Sequence, residues 1–389
     1  MNTGKTVFAQ LLQLVSPYEF NKCVKRYHGN YRVRNFSCWN QFLCMAFAQL
    51  TGRDSLREIE TCLNSHMEKL YHMGFRGEIA RSTLADANTT RDFRIYQDFG
   101  YHLIGIACNL YQDEPFAVEL ENTVYALDST TIDLCLSLFP WACFRKTKAA
   151  VKMHTLLNLR GSIPVFICIT EGKLHDVRIL DRAPVEEKSI LTMDRAYVDF
   201  ARLYAIHQTP AYFVIHSKRN LRFRRIGSRK VDKSTGLRAD QTIILTVKKS
   251  RQAYPENLRR VSYYDIESNR RFIFLTNHFG IPVQTVADIY KQRWKVELFF
   301  KWIKQHLHIK SFYGTSPNAV KTQIWIAISV YLLVAIAKKR FHIPASLYTI
   351  LQIIEVNVFE KNPLNHIVNK ALKQETETSV SNQLNLFDS

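Results

Sequence analysis

The stretch from Thr123 to Thr130, TVYALDST, decides the fold of this 389-residue chain. Its apolar residues predict a short buried strand over 123–127 that ends at Asp128. A second apolar strand, over 189–193, is followed in the same way by Asp194. Ligands of an open α/β sheet bind at the carboxyl ends of its strands. If the two strands are neighbours, both carboxylates therefore enter one site, although a lone Asp after a strand is more often a turn or cap residue.

A hairpin and a helix complete the pattern around these two strands. Apolar runs over 153–159 and 163–170 flank Arg160-Gly161, which is a hairpin signal. A helix over 200–206 and a strand over 211–215 follow Asp194. This order predicts an α/β sheet with helices on its faces.

The charge of the chain is concentrated in one region. The formal net charge is +19, and residues 208–275 carry 16 Lys and Arg against 5 Asp and Glu. Strand-like runs over 242–247, 260–265 and 271–275 predict a basic, β-rich insert within the α/β domain. Such an excess indicates a polyanionic partner, with nucleic acid first and an anionic membrane second. The alternative for the net charge is a basic protein without a polyanionic partner. The alternative for the insert is a flexible basic loop.

Residues 1 to about 115 have the periodicity of helices, for example over 8–15 and 39–50, and 82–91 resembles a turn and cap into another helix. Short helices fit a DNA-reading helix-turn-helix module and an ordinary helical bundle equally well. A DNA role for this region rests on five cations, which are Lys22, Lys25, Arg26, Arg32 and Arg34.

No membrane or extracellular feature is expected. The longest apolar run, 324–337, is 14 residues and too short to span a bilayer, so it predicts a buried helix within 319–341. The eight cysteines contain no C-x2-C pair, which argues against a zinc site and a disulfide scaffold. A reduced, cytoplasmic protein is the simplest interpretation.

A third carboxylate lies in a helical stretch that runs from Gln284 to about Lys310. Side chains spaced 3, 4, 4 and 3 residues apart are expected on one face of this helix, namely Tyr290, Arg293, Glu297, Lys301 and Lys304. The alternative is a solvated face with i,i+4 ion pairs. That alternative explains the charges, but it explains less well a carboxylate between cations in an otherwise aromatic helix.

These residues resemble a known family. The spacing Tyr290-x2-Arg293-x3-Glu297-x6-Lys304 is similar to the Y-R-E-K signature of DDE-type insertion-sequence transposases. Three further motifs resemble that family, namely Asp128-Ser129-Thr130, the pair His175-Asp176, and Asp194-Arg195-Ala196-Tyr197, where the family's D-R-G-Y has Gly in place of Ala196. The resemblance covers about 120–345 well and 1–115 loosely, and it is greatest to the fourth insertion-sequence family.

The resemblance implies an α/β, ribonuclease-H-like mixed sheet interrupted by a β-rich insertion, with helical N-terminal and C-terminal parts. Asp128, Asp194 and Glu297 would be catalytic and would hold two Mg²⁺, with Mn²⁺ as a substitute. The implied reaction is cut-and-paste transposition, in which terminal inverted repeats are cleaved and joined to target DNA by a homodimer at the bacterial nucleoid. The expected DNA-contacting residues are Tyr290, Arg293, Lys301, Lys304, Arg222, Arg224, Arg225, Lys248 and Lys249.

The resemblance and the charge pattern together predict five segments. They are a helical DNA-binding domain at 1–115, a first core segment at 116–207, the basic insertion at 208–283, a second core segment with the catalytic helix at 284–345, and a C-terminal helix with a disordered tail at 346–389.

Two details concern the reaction route and a partner. Hairpin-forming relatives stack a flipped base on a Trp of the insert, but no Trp lies between Trp141 and Trp294 here. Four aromatic residues are the candidate substitutes, namely Phe223, Tyr254, Tyr263 and Tyr264. In the tail, 383–387 (QLNLF, Gln383 to Phe387) resembles the peptide that docks on the bacterial sliding clamp, and a plain solvated tail is the alternative.

Two other functions compete with this interpretation. A glycosidase also uses two carboxylates, but the basic insert argues against it. A DNA-binding regulator, or a decayed transposase kept for binding, needs no metal, and the intact carboxylates argue against decay.

Overall fold

The computed structural model describes residues 4–306 and 311–372. The expected disordered tail from Lys373 and the clamp-like peptide Gln383 to Phe387 lie outside the described residues. The chain forms two compact units. The helical unit is Met1–Tyr111, Ser137–Trp141 and Lys301–Ser389, and the sheet unit is Gln112–Leu136 and Ala142–Phe300.

The helical unit begins with seven helices. They are α1 (Val7–Leu12), α2 (Pro17–Arg26), α3 (Cys38–Leu50), α4 (Leu56–Asn64), α5 (Met67–Met73), α6 (Arg81–Thr90) and α7 (Arg94–Tyr111). Hydroxyl caps start several of them, as when Ser37 Oγ accepts a hydrogen bond from the Asn40 amide at the start of α3. The prediction of a turn and cap over 82–91 was wrong, because that stretch is itself helix α6, which buries Leu84 and Ala87.

A long apolar helix forms the core of this unit. Helix α12 (Pro317–Arg340) begins at the Ser316 cap, and it is followed by α13 (Leu347–Asn357) and a helical stretch at 364–372. By length and composition alone α12 is apolar enough to cross a membrane, but 94% of its most apolar window is buried inside the protein. A Cβ on Gly100 of α7 would lie 2.9 Å from Trp325, so the two helices approach closely. The predicted buried helix is confirmed.

Ten strands build the sheet unit. They are β1 (Val124–Leu134), β2 (Cys143–Arg145), β3 (Lys148–Asn158), β4 (Ile163–Glu171), β5 (Ile190–Met193), β6 (Tyr212–His216), β7 (Phe223–Arg229), β8 (Leu237–Leu245), β9 (Leu258–Asp265) and β10 (Arg270–Thr276). Strands β4, β3 and β1 pair antiparallel, and β5 and β6 continue parallel to β1. The order β4-β3-β1-β5-β6 is ribonuclease-H-like, so the expected fold class is confirmed.

The basic region continues the same sheet. Strand β10 pairs antiparallel with β6, and β9, β8 and β7 follow in antiparallel order out to the edge. Edge strand β7 was not predicted from the sequence, because its residues, FRRIGSR, are mostly polar and exposed. Helix α9 (Lys248–Ala253) was also missed, and the helix between the β5 and β6 strands is α8 (Phe200–Gln208).

Two elements differ from prediction near the carboxylates. Strand β1 does not end at Asp128, because its pairing with β3 continues as far as Leu134 opposite Ala149. Only the parallel pairing with β5 stops before Asp128. The predicted single helix over 284–310 is interrupted at Arg293 between α10 (Val283–Gln292) and α11 (Trp294–His306). The Arg293 amide bonds to the Tyr290 carbonyl, a tighter turn than an α-helix makes.

Candidate active site

Asp128 and Asp194 occupy equivalent positions on neighbouring strands. The last parallel pair of β1 and β5 is Leu127 with Met193, and each Asp is the next residue. In the same register Met193 pairs with Ile215 of β6, so His216 is the next residue there. The carboxyl ends of three adjacent parallel strands therefore present Asp128, Asp194 and His216 side by side. The parallel alignment that the sequence left open is what gathers the two carboxylates.

Arg293 links the third carboxylate to the first. Its Nη1 donates to Asp128 Oδ2 over 2.6 Å, and its Nη2 donates to Glu297 Oε1 over 2.6 Å. The Arg293 side chain is 14% exposed, and that of Glu297 is 58% exposed. The interruption of the helix places Arg293 at the junction of α10 and α11, where it meets both carboxylates. Glu297 thus stands at the solvent side of the cluster.

Tyr290 packs against the same group. Its hydroxyl lies 3.5 Å from Asp194 Oδ1, and its ring centroid lies 4.7 Å from that of Phe274. The Arg293 guanidinium lies 5.5 Å from the ring centroid, which is a cation–π distance. Burial raises the pKa of Tyr290 to about 12, so its hydroxyl stays protonated at neutral pH. Tyr290 therefore offers a hydrogen-bond donor beside Asp194.

The two aspartates differ in charge behaviour. Burial raises the pKa of Asp128 to about 6, and the facing Arg293 limits that rise. The pKa of Asp194 is lowered to about 2, chiefly by its interaction with His216, whose Nδ1 lies 3.8 Å from Oδ1. Asp194 is thus the fixed anion of the pair, whereas Asp128 needs a neighbouring cation to remain ionised.

The carboxylates of Asp128, Asp194 and Glu297 are of the chemical type that binds divalent metal ions. Three carboxylates supply the oxygen ligands that Mg²⁺ and Mn²⁺ prefer, and the buried Asp128 favours a nearby positive charge. That charge is Arg293 in the observed arrangement. Among the described residues, no three or more His, Cys, Asp or Glu side chains lie close enough together to hold a metal ion.

A polar cluster behind Asp128 was not predicted as part of the site. Asp176 Oδ1 accepts hydrogen bonds from Ser129 Oγ at 2.8 Å and from Lys152 Nζ at 3.1 Å, and His154 Nδ1 lies 3.8 Å away. His154 is fully buried, which lowers its pKa to about 4. The His175-Asp176 motif indicated that Asp176 belongs near the site. No sequence pattern marked Lys152 or His154, which lie on hairpin strand β3.

A cavity of about 700 Å³ opens on the other side of Asp194. Its lining combines cationic and aromatic side chains, namely Arg195, Arg219, Arg270, Arg271, His216, Phe272 and Tyr290, together with Asn269. Two of the expected stacking residues are unsuitable, because Tyr254 is 1% exposed and Tyr263 is 7% exposed. Phe223 and Tyr264 are half-buried. Phe272 also lines the cavity and was not among the predicted stacking residues.

The predicted DNA-contacting cations lie in different places. Five cations of the insert were predicted to contact DNA, and all five are exposed, namely Arg222, Arg224, Arg225, Lys248 and Lys249. Among the residues the structure describes, no carboxylate forms an ion pair with any of these five. Lys301 is exposed and Lys304 half-buried, and both lie on the part of α11 that belongs to the helical unit.

Two family models match different parts of the chain. The model of the transposase DDE domain matches residues 119–333, which is more than half of the chain. A second model, a domain of unknown function (DUF4372), matches residues 3–76. The carboxylates and Arg293 all fall within the first match.

Several relatives are transposases by description. The chain is 32% identical over 209 residues to a probable transposase for insertion sequence element IS5377 of Geobacillus stearothermophilus, covering 53% of this chain and 54% of that one. It is 28% identical to putative transposase y4zB of Sinorhizobium fredii, covering 72% and 78% of the two chains. For a putative transposase for IS4SA of Synechocystis, the identity is 25% and the coverage 81% and 87%.

One solved structure has a similar course of the chain. It is a piggyBac transposase in a synaptic complex with hairpin DNA, with a TM-score of 0.43 and 11% identity over 96% of this chain and 82% of that one. The family match over 119–333 decides the assignment. This chain belongs to the family of the transposase DDE domain, whose members cleave DNA and transfer strands in transposition.

Proposed function

We propose that this protein is an insertion-sequence transposase of the Y-R-E-K type, in the fourth insertion-sequence family. It cuts DNA at terminal inverted repeats and joins the 3′-hydroxyl to target DNA by a cut-and-paste route. One observation carries the proposal. Arg293 holds Asp128 and Glu297 together next to Asp194, at the carboxyl edge of a ribonuclease-H-like sheet.

DDE transposase domains in general use divalent metal ions, and Mg²⁺ is the ion proposed here, with Mn²⁺ as a substitute. Asp128, Asp194 and Glu297 are the proposed catalytic residues and would hold two ions, which activate the attacking oxygen and stabilise the leaving oxygen. His216 lowers the pKa of Asp194 and so stabilises its anionic form. The protein's own task is otherwise to position the phosphodiester for in-line attack.

Arg293 and Tyr290 are proposed to contact a phosphate of the transposon end. Arg293 Nε is buried and has no acceptor among the described residues, so a donor is left for an incoming oxygen. A guanidinium that moves from carboxylates to a phosphate keeps its charge-assisted bonds. The same movement would free Asp128 and Glu297 for metal. DNA binding and metal binding are therefore proposed to support each other.

The remaining DNA contacts are proposed from charge. The exposed cations of the insert, in particular Arg224, Arg225 and Lys248, would hold the phosphate backbone, and Lys301 and Lys304 of α11 would contact further phosphates. The domain at 1–115 is proposed to recognise the terminal repeats. Two protomers would pair two ends in the cytoplasm at the nucleoid, and the tail peptide would recruit the sliding clamp.

A hairpin route would need an aromatic surface near the cut. Phe272 and Tyr290 line the cavity beside Asp194 with four arginines, and this arrangement suits one unstacked nucleotide better than the buried Tyr254 does. We therefore include hairpin formation as a product that the assay must distinguish.

The test uses the gene's own flanking DNA at both ends of a marker on a plasmid. Parent protein and Glu297→Gln are incubated with Mg²⁺, and cuts at the flank boundaries are mapped on denaturing gels. We expect boundary cuts by the parent alone, while Glu297→Gln binds the ends nearly as well. Glu267→Gln, an exposed carboxylate in the β9–β10 turn, is the matched control and should cut normally. Equal cutting by Glu297→Gln would refute the assignment.

A further inference from the structure

One exposed loop of the helical unit is built to present cationic and aromatic side chains. Residues 28–35, HGNYRVRN, follow helix α2 and are here called the basic loop. No Asp or Glu occurs between Glu19 and Asp54. The loop lies within the matched domain of unknown function, at 3–76. The basic loop adds Arg32 and Arg34 and no anion, whereas the rest of residues 1–118 carries 11 Lys and Arg against 11 Asp and Glu.

The base of the basic loop is fixed to the body of the unit. A Cβ on Gly29 would lie 2.4 Å from Ile95 Cδ1 and 2.7 Å from Cys38 Sγ, so a larger residue there would push these side chains aside. Asn30 Oδ1 accepts a hydrogen bond from the Cys38 amide at 2.8 Å. On the far side, Arg91 Nη1 donates to the Ser37 carbonyl at 2.8 Å. The loop is thus held at both ends, which lowers the entropy lost when a ligand binds.

The tip of the basic loop is exposed and unneutralised. Tyr31 is 71% exposed, and the Arg32 guanidinium lies 5.2 Å from its ring centroid. Arg32 has a left-handed backbone with φ 56°, a conformation that costs about 1 kcal/mol for a residue other than Gly. Among the described residues, no carboxylate pairs with Lys25, Arg32 or Arg34. A strained, solvent-facing Tyr–Arg stack contributes nothing to the core and therefore suggests a ligand.

We propose that the basic loop enters the minor groove of duplex DNA at the transposon end, with Tyr31 and Arg32 at its tip. The minor groove is about 6 Å wide and admits a flat pair of side chains, and its negative potential attracts Arg. Lys25 and Arg34 lie on either side in sequence and would contact the two phosphate backbones. This inference rests on the proposed function, because it takes the terminal repeat as the duplex.

A second Tyr–Arg pair in the same unit provides the matched control. Tyr71 is 67% exposed, and the Arg76 guanidinium lies 4.7 Å from its ring centroid. Two carboxylates, Glu68 and Glu78, are close in sequence to this pair, in contrast to the basic loop. Exposure and the Tyr–Arg contact are therefore matched, while the charge of the neighbouring sequence is not, although Asp98 pairs with Arg26 just before the basic loop.

The experiment measures binding of full-length protein to a terminal-repeat duplex without metal, so that cleavage plays no part. The variants are Tyr31→Ala, Arg32→Asn and, as control, Tyr71→Ala. Asn tolerates the left-handed conformation, so Arg32→Asn removes the charge and keeps the backbone. We expect Tyr31→Ala to weaken binding roughly ten-fold. Arg32→Asn should weaken it similarly and reduce the slope of log K against log salt by about 1.

Hydroxyl-radical footprints then locate the contact. The parent and Tyr71→Ala should protect minor-groove sugars of the repeat, and Tyr31→Ala should lose one such patch while its thermal unfolding is unchanged. Equal affinity and equal footprints for Tyr31→Ala and the parent would overturn the basic-loop proposal. That outcome leaves the Glu297→Gln result standing, whereas a parent that neither cuts nor binds the repeat overturns both proposals.

Discussion

Arg293 Nη1 donates a 2.6 Å hydrogen bond to Asp128 Oδ2, although 165 residues separate the two positions. The bond joins the turn between α10 and α11 to the first strand of the sheet. Burial raises the pKa of Asp128 despite this contact. The Arg293 guanidinium opposes that rise and so helps to keep the carboxylate ionised. The site is therefore electrostatically balanced by an arginine that we propose also binds phosphate.

Replacement of Arg293 should affect DNA binding and the pH profile together. Arg293→Ala removes one phosphate contact, so affinity for the end duplex should fall and the salt slope should decrease by about 0.9. Without the guanidinium the pKa of Asp128 rises further above 6, so cleavage should need a higher pH than in the parent. Filter binding at several salt concentrations and cleavage rates between pH 6 and 9 check both effects. Arg293→Lys keeps the charge and should restore the pH profile but only part of the affinity.

The two aspartates should respond oppositely to amide substitution in metal-free buffer. The fold raises the pKa of Asp128, so the native state binds more protons between about 4 and 6 and this residue costs stability as the pH rises. Between pH 4 and pH 7, Asp128→Asn should therefore gain up to about 2–3 kcal/mol of stability relative to the parent, on top of a pH-independent cost of leaving Arg293 without this partner.

Asp194 provides the contrasting half of that comparison. Its pKa is lowered to about 2, so its contribution to stability is present above about 4 and is lost as the pH falls toward 2. Asp194→Asn should therefore destabilise at pH 7. Urea unfolding in the presence of a chelator at pH 4 and pH 7 measures both. Stabilisation by both substitutions would contradict the assigned environments.

His216 should influence the metal requirement through its contact with Asp194. Loss of its imidazole raises the pKa of Asp194 toward the ordinary value, and groups that support a ligand typically change metal affinity 10–100-fold. His216→Ala should shift the Mg²⁺ concentration for half-maximal cleavage upward while end binding in chelator is unchanged. His207→Ala, a histidine on α8 that bonds to Tyr254, is the control and should leave the Mg²⁺ dependence as in the parent.

The exposed cations of the insert should contribute affinity without sequence preference. Arg224→Ala together with Arg225→Ala should weaken binding of terminal-repeat and unrelated duplexes by the same factor, and lower the salt slope by up to about 2. Lys173→Ala, an exposed lysine of the sheet unit outside the insert, should change neither. A selective loss for the terminal repeat would show that β7 reads sequence.

The sequence by itself determined the sheet class, the buried helix and the identity of the three carboxylates as candidates. Each of these depends on local patterning, such as the apolar run before Asp128 and the hairpin at Arg160-Gly161, which acts over a few residues. The spacing of Tyr290, Arg293 and Glu297 also lies within one stretch of chain. These features are readable because periodicity and turn chemistry are local properties.

Only the tertiary structure decided how those parts meet. The parallel register of β1, β5 and β6 places Asp128, Asp194 and His216 side by side, and no local pattern marked His216. The predicted single helix is interrupted at Arg293, and Arg293 at this junction contacts both Asp128 and Glu297. Strand β7 forms although its sequence is polar, because β8 supplies its hydrogen bonds. Pairing between distant segments depends on the whole fold. No local sequence pattern therefore predicts which segments pair.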